Sequence, residues 1–150
     1  ANEFTFDDLS SRIYNFIEKA QSVKENTMFK FTVDDSLKNS KFSSLEGVNL
    51  YRTIQEAVNN AIKYADATEV SVQVKPIKNR ITIDISDNGK GFDINSVDKK
   101  RNSESGMGLL FMKERIQYIN GRVFINSIPG EGTRITFNIP ILKWDNVAIR

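Results

Sequence analysis

The sequence contains no cysteine and no histidine. Without cysteine there is no disulfide, no thiolate nucleophile and no cysteine-bearing zinc site, and a reducing compartment is permitted. Without histidine there is no serine–histidine triad, no imidazole metal ligand and no phosphoacceptor imidazole within these residues. Long apolar runs are missing too: none approaches the roughly 18 to 20 residues that cross a bilayer, and no signal-peptide pattern opens the chain. An excess of one charge sign is also absent. The formal net charge is +2, with 21 basic and 19 acidic residues scattered along the chain, so there is no footprint for nucleic acid. What is present is ordinary: 150 residues, 39% hydrophobic and 27% charged, enough for one domain with a sizeable core. The chain does not start with Met, so a fragment or processed form is expected, with room for a membrane segment upstream.

The stretch that organises the chain is EAVNNAIKYA, residues 56–65. At roughly 100° per helical residue, Glu56, Asn60 and Lys63 fall in a narrow arc, while Leu50, Ile54, Ala57, Val58, Ala61, Ile62 and Ala65 take the opposite side. One side faces a core. The other carries a carboxylate, an amide oxygen and an ammonium, a set suited to a metal-bridged anionic ligand, since magnesium prefers oxygen and shares its shell with substrate phosphates. Taken singly, E-x-x-x-N is the ordinary pattern of a solvated helix face.

In chain order, Thr5 with Asp8 three residues on predicts a capped helix from about Phe6 to Val23, with Leu9, Ile13, Phe16, Ile17 and Ala20 as its apolar stripe. Met28 to Val33 reads as a strand in which Phe29, Phe31 and Val33 share a face. Asp34 to Gly47 is polar and reads as a loop. The organising helix follows, from about Leu45 or Val48 to Tyr64. Two alternating strands come next, around Val70, Val72 and Val74 and around Ile81, Ile83 and Ile85, with Pro76 to Asn79 as the turn. A helix from Leu109 to Ile119, with Leu110, Met112, Ile116 and Ile119 periodic, stops at Asn120-Gly121. Arg122 to Ser127 and Thr133 to Ile139 form the last two strands, and the tail from Leu142, with Trp144, is uninformative. This order predicts a two-layer α/β sandwich, one mixed and mostly antiparallel sheet covered on one face by about three helices.

Two glycine turns fall beside the polar stripe. Asp87 ends a buried strand, where a carboxylate needs hydrogen-bond donors, and an adenine amino group is one such donor. Gly89 and Gly91 remove side chains where a flat ring would lie against backbone. Gly106-Met107-Gly108-Leu109 opens a helix, whose free amides and positive dipole end suit an anion. Neither turn is a Walker A loop or a dinucleotide fingerprint. Lys99, Lys100 and Arg101, in a segment with few apolar anchors, either close over phosphates or form a solvated run.

Together and in this order, EAVNNAIKYA, DNGKGF, GMGLLFMKERI and IPGEGTRITFNIP resemble the ATP-binding catalytic domain of bacterial sensor histidine kinases, a branch of the GHKL superfamily of ATPases. The resemblance runs from about Leu9 to Pro140, making residues 1–150 a single catalytic domain. The run after the second glycine pair is similar to that of the nitrate- and lipid-sensing kinase subgroup. Lys63 replaces the acidic residue usual in gyrase-like and mismatch-repair members. The resemblance implies that Asn60 coordinates Mg2+, that Glu56 is the polarising or general-base residue and that Lys63 reaches phosphate. It further implies that Asp87 takes the adenine amino group between Gly89 and Gly91. Gly106, Gly108 and Leu109 would contact the triphosphate, Ile94 to Ser105 would be a lid, and Thr133 would lie on the adenine side. Tyr64 stands where His is frequent in the family.

The implied activity is phosphoryl transfer from Mg-ATP to a histidine on a separate dimerisation and phosphoacceptor domain, with a response regulator downstream. Neither nucleic acid nor direct membrane contact is expected. The implied location is cytoplasmic, as part of a membrane-bound sensor, with this domain itself monomeric. Two other readings stay open: a serine kinase of the anti-sigma-factor type, and a non-catalytic nucleotide-binding module.

Overall fold

The first helix starts where its signals lie. Thr5 stays extended, its hydroxyl accepts from the Asp8 amide at 3.1 Å, and the Asp8 carboxylate accepts from the Thr5 amide at 3.1 Å. Two orphan amides are satisfied reciprocally, and α1 runs Phe6–Val23 as expected, with Leu9, Ile13 and Ile17 buried. The structure, a computed structural model, describes residues 3–95 and 108–140. The calls on Gly106, on Lys99, Lys100 and Arg101, on most of the implied lid and on the tail with Trp144 lie outside the described residues.

The same capping device starts α2. Ser43 Oγ accepts from the Glu46 amide at 3.1 Å and the Glu46 carboxylate accepts from the Ser43 amide at 2.8 Å. α2 therefore spans Ser44–Asn60, within one residue of Leu45, the earlier of the two expected starts. The preceding stretch is not all loop. It holds a 3-10 turn, Asp35–Leu37, and strand β3, Lys41–Ser43, which pairs antiparallel with β1, Glu3–Thr5. Apolar anchors explain the order there: Leu37 and Phe42 are buried, and the rings of Phe6 and Phe42 lie 6.0 Å apart.

The main sheet has five strands: β2 Met28–Val33, β4 Glu69–Ile77, β5 Arg80–Asp87, β6 Arg122–Ile128 and β7 Gly132–Pro140. Their order is β2-β4-β5-β7-β6; β2 and β4 are parallel and the other pairs antiparallel. Strand alternation sends Val70, Val72, Val74, Ile81, Ile83, Ile85, Ile135, Phe137 and Ile139 to one face. All but Val70, which is buried at the start of β4, form a single core with Leu9, Ile13, Leu50, Ile54, Val58, Met112 and Ile116 from the helices. The mixed two-layer sandwich read from the sequence is what forms, with three α-helices among the described residues. None is long and apolar enough to cross a membrane.

Two local expectations differ. β4 continues through Pro76 and Ile77, so the hairpin turn is only Lys78, at φ 56°, and Asn79. Pro76 lies past Val74, the last residue paired with β2, where its missing N–H breaks no ladder bond on that side. The third helix, α3, is Leu109–Tyr118; Met112 and Ile116 are buried, and so is Ile119 just beyond it. Leu110 is 56% exposed, and Leu109 packs on the core in its place. Asn120 at φ 64° ends the helix, and the Gly121 amide donates to the Ile116 carbonyl at 2.8 Å.

Candidate functional site

The organising helix changes character at the site. After Asn60 the α-helical ladder gives way to one π-helical turn, Ala61–Ala65, closed by Asp66 in the left-handed region at φ 53°. A π turn is wider than an α turn, so the constant step assumed from Glu56 to Lys63 fails after Asn60. Glu56 and Asn60 remain one α turn apart, and Lys63 lies beyond the break. Asn60 is buried to 8% relative exposure, whereas Glu56 and Lys63 are exposed. A neutral amide tolerates that burial where a carboxylate would pay for lost hydration.

β5 delivers the first glycine turn to this helix end. A Cβ on Gly89 would fall on the Ala65 carbonyl oxygen and stand 2.6 Å from the Ala65 Cβ, while the Lys90 amide donates to that same carbonyl at 2.7 Å. Asn88, which the sequence did not single out, is the fastener. Its Oδ1 accepts from the Thr68 and Glu69 amides, both at 2.9 Å, and its Nδ2 donates to Thr68 Oγ1 at 2.9 Å.

Asp87 stands just before this turn. Its Oδ1 accepts from the Gly89 amide at 2.9 Å, and its carboxylate also accepts from the Thr133 amide. Burial pushes the Asp87 carboxyl above the usual value, and those two amides offset the rise only in part. The β6–β7 hairpin closes the other side. Thr133 sits opposite Asp87 in register. Gly132, at φ 115°, passes so close to Asp87 that a Cβ would fall on the Asp87 carbonyl. Gly91, at φ 66°, approaches the Ile128 carbonyl in the same way, and the Gly130 amide donates to the Lys90 carbonyl. Only a residue without a side chain fits those positions. Ser127 ties the two parts together: its Oγ accepts from the Phe92 amide at 2.8 Å and lies 2.8 Å from Thr133 Oγ1.

The second glycine turn meets the helix higher up. Gly108, at φ 64°, caps α3 without a side-chain hydrogen bond, and a Cβ there would stand 3.0 Å from Glu56 Cδ. The open amide end of α3 is thus beside Glu56. The structure brings Gly89 against Ala65 at the end of the helix, with Thr133 opposite Asp87 and Gly91 against the closing hairpin, and sets Gly108 against Glu56 one turn before Asn60. Gly132, Ser127 and Asn88 belong with the first glycine turn and that hairpin; the glycine in the closing turn was the one visible signal for them.

Among the described residues no group of three or more acidic, histidine or cysteine side chains could hold a metal by itself. A cation here would take few protein oxygens and complete its shell from ligand phosphates and water, as Mg2+ does with nucleotides. The amide oxygen of Asn60 fits that mode of holding, one turn from the Glu56 carboxylate.

The sequence profile of the histidine kinase-, DNA gyrase B-, and HSP90-like ATPases matches residues 46–143. The chain is 42% identical over 94 residues to the signal transduction histidine-protein kinase/phosphatase DegS of Bacillus subtilis (strain 168), covering 63% of this chain and 24% of DegS. It is 39% identical over 104 residues to DegS of Brevibacillus brevis, covering 69% of this chain and 26% of that protein. The chain thus spans about a quarter of the length of these relatives. Its fold is similar to the catalytic domain of histidine kinase ThkA, with TM-score 0.75 at 17% identity, over 93% of this chain and 94% of that one. It is also similar to the histidine kinase domain of a blue-light activated histidine kinase from Erythrobacter litoralis, with TM-score 0.72 at 12% identity, over 93% of this chain and 64% of that one. With the family profile covering well over half its length and the glycine turns folded against the helix that carries Glu56 and Asn60, the chain belongs to the histidine kinase-, DNA gyrase B- and HSP90-like ATPase family.

Proposed function

We propose that the chain is the catalytic domain of a sensor histidine kinase, which binds Mg-ATP and transfers the γ-phosphoryl group to a histidine on a separate dimerisation and phosphoacceptor domain. The observation that carries this reading is Asp87: a half-buried carboxylate held by two backbone amides, walled by close-approach glycines, with acceptor capacity left for an adenine amino group. The DegS relatives, named as kinase/phosphatases, support the phosphoryl-transfer part and weigh against the serine-kinase reading.

In this reading Asp87 orients the base, and Gly89 and Gly91 leave room for the ring. Thr133 sits on the adenine side. The open amides at the start of α3, with Gly106, Gly108 and Leu109, receive the triphosphate, and Lys63 reaches it from the helix end. Asn60 holds Mg2+, which when bound neutralises phosphate charge. Glu56 accepts a proton as the acceptor imidazole attacks in line; the new N–P bond forms as the bond to the ADP oxygen breaks. This chain has no histidine, so the acceptor must come from the partner domain, and a response-regulator aspartate is the onward acceptor. The domain works in the cytoplasm as part of a membrane-bound sensor.

The test is calorimetric titration with a non-hydrolysable ATP analogue, with and without Mg2+, in the wild type and Asn60→Ala. Expected is Mg2+-dependent binding that the variant loses. Absence of binding by the wild type overturns the reading, and full Mg2+-dependent binding by Asn60→Ala overturns the metal assignment.

A further inference from the structure

We infer that the face of the main sheet turned away from the helices is a docking surface for an acidic protein partner, with Phe124 as its apolar centre. Strand pairing lays that face out in rows. Gln73, Asp84, Thr136 and Phe124 stand side by side across β4, β5, β7 and β6, and Lys75, Thr82, Asn138 and Arg122 form the next row. Arg134 lies diagonally beside Phe124, and Arg122 lies two residues away on the same strand, both within reach of its ring. Phe124 is 55% exposed on this polar face, so most of its ring is open to a partner.

The charge here is of one sign. Lys75, Arg80, Arg122 and Arg134 share the face with one acid, Asp84, which is buried and already taken by Arg134 and Thr136. Lys30 and Glu69, 3.9 Å apart, neutralise each other on the β2 side, so the excess lies toward β6. Two of the cations are held in place. Arg80 Nε donates to Asn138 Oδ1, and Arg134 Nε donates to Asp84 Oδ1 at 3.1 Å. Neither arginine makes another hydrogen bond among the described residues, so the terminal nitrogens of both remain for a carboxylate. A guanidinium already fixed at Nε loses little freedom when it closes on an oxyanion. An aromatic ring flanked by arginines is the composition on which interface energy concentrates.

Charge selects the occupant. A second copy of this chain would bring the same cations, and residues 141–150, which follow β7, carry Lys143 and Arg150 against Asp145. Neither is drawn to a basic face. A phosphate backbone calls for a longer basic stripe than these cations, set among Gln73, Asn126 and Asn138, provide. The domain proposed to supply the histidine has to reach Glu56 and Gly108 on the helix side, which leaves the opposite face of the sheet open. The occupant is therefore another protein, presenting carboxylates around an apolar side chain.

The experiment is fluorescence anisotropy with a labelled, tryptophan-free acidic peptide whose glutamates flank a central leucine pair, titrated with the wild type, Arg122→Glu, Arg122→Lys and Phe124→Thr. Thermal melts and ATP-analogue calorimetry run alongside. The wild type is expected to bind the peptide, more weakly as salt rises, and its glutamine counterpart about tenfold less well. Arg122→Glu should weaken binding by about tenfold or more and Phe124→Thr by about fivefold or more, with Arg122→Lys between the wild type and Arg122→Glu. Nucleotide binding should not change in any of them. No binding by the wild type, equal binding of the glutamine counterpart, or full binding by both Arg122→Glu and Phe124→Thr would each overturn the inference. Tighter binding of oligothymidylate or of phosphatidylserine vesicles through the same residues would give the face to nucleic acid or membrane and overturn it too. Trp144 is the one tryptophan, and a shift of its emission in Phe124→Thr without peptide would show the tail seated on the face, with the same result. Should Arg122→Glu fail to fold, Arg122→Gln carries the comparison.

Discussion

Asp84 and Asp87 lie three residues apart on β5 and illustrate two uses of a buried carboxylate. The odd spacing puts them on opposite faces of the sheet. Asp84, on the face away from the helices, is 4% exposed; it accepts from Arg134 Nε at 3.1 Å and from Thr136 Oγ1 at 2.6 Å. Burial pushes its carboxyl upward, but the hydrogen bonds from Arg134 and Thr136, with the charges of Arg134 and Lys75, outweigh this and hold it below the usual value. Asp87 is met by the neutral amides of Gly89 and Thr133, and among the described residues by no cation. Burial dominates, and its carboxyl rises despite the amides of Gly89 and Thr133. One carboxylate is committed to the fold by a fixed charge. The other sits at a strand end with only neutral donors, so its remaining lone pairs and its charge are left for a ligand.

The sharpest way to break this contrast is Asp84→Ala. It removes a charge-assisted pair from the middle of the sheet and should cost about 2 to 3 kcal/mol in urea denaturation, with ATP-analogue affinity unchanged. A loss of affinity out of proportion to the unfolded fraction would place Asp84 in the binding machinery and end the distinction. Asp87→Asn should do the reverse. It is expected to lower ATP-analogue affinity by about ten- to thirtyfold, since a charged acceptor is replaced by an amide that also presents donors. Stability at neutral pH should hold or rise, because the variant no longer buries a charge. Equal losses for ATP and GTP would locate adenine recognition elsewhere. Arg134→Met is smaller still: the Arg134 side chain is 60% exposed, so screening limits its ion pair, and about 0.5 to 1 kcal/mol is expected.

The contrast also marks what could be read from the chain. α1 was legible to the residue because Thr5 and Asp8 form a capping box ahead of an apolar stripe. Ser43 and Glu46 carry the same S-x-x-E signal, but it lies in a polar stretch without a periodic run before it, so the start of α2 stayed open between Leu45 and Val48, and the earlier of the two is within one residue of Ser44. β1 and β3 are three residues each and pair across nearly forty positions, so neither shows alternation or a turn to announce it. The π turn at Ala61–Ala65 has no composition signal, and it is what separates Lys63 from the arc of Glu56 and Asn60. At the site, Asp87, Gly89, Gly91 and Gly108 were visible because glycine and a strand-ending acid are unusual enough to mark a sequence. Asp84 carries no signal in the sequence, since its partners Arg134 and Thr136 are fifty residues away and only strand pairing reveals them.

The finest test is the pH dependence of stability, where the two carboxylates act with opposite sign. Asp84 is lowered from the ordinary 3.8, so its contribution is present above 3.8 and lost as pH falls through its folded value. Asp87 is raised from 3.8, so the folded state binds a proton that the unfolded state releases between 3.8 and the raised value. Its contribution is present below 3.8 and lost as pH rises through that window. Urea midpoints for the wild type, Asp84→Asn and Asp87→Asn from pH 3 to 7 separate the two. The deficit of Asp84→Asn relative to the wild type should shrink as pH falls below about 3.8, and any gain of Asp87→Asn should appear as pH rises above it. If both differences ran the same way with pH, the two carboxylates would share one role, and the assignment of Asp87 to a ligand would lose its electrostatic basis.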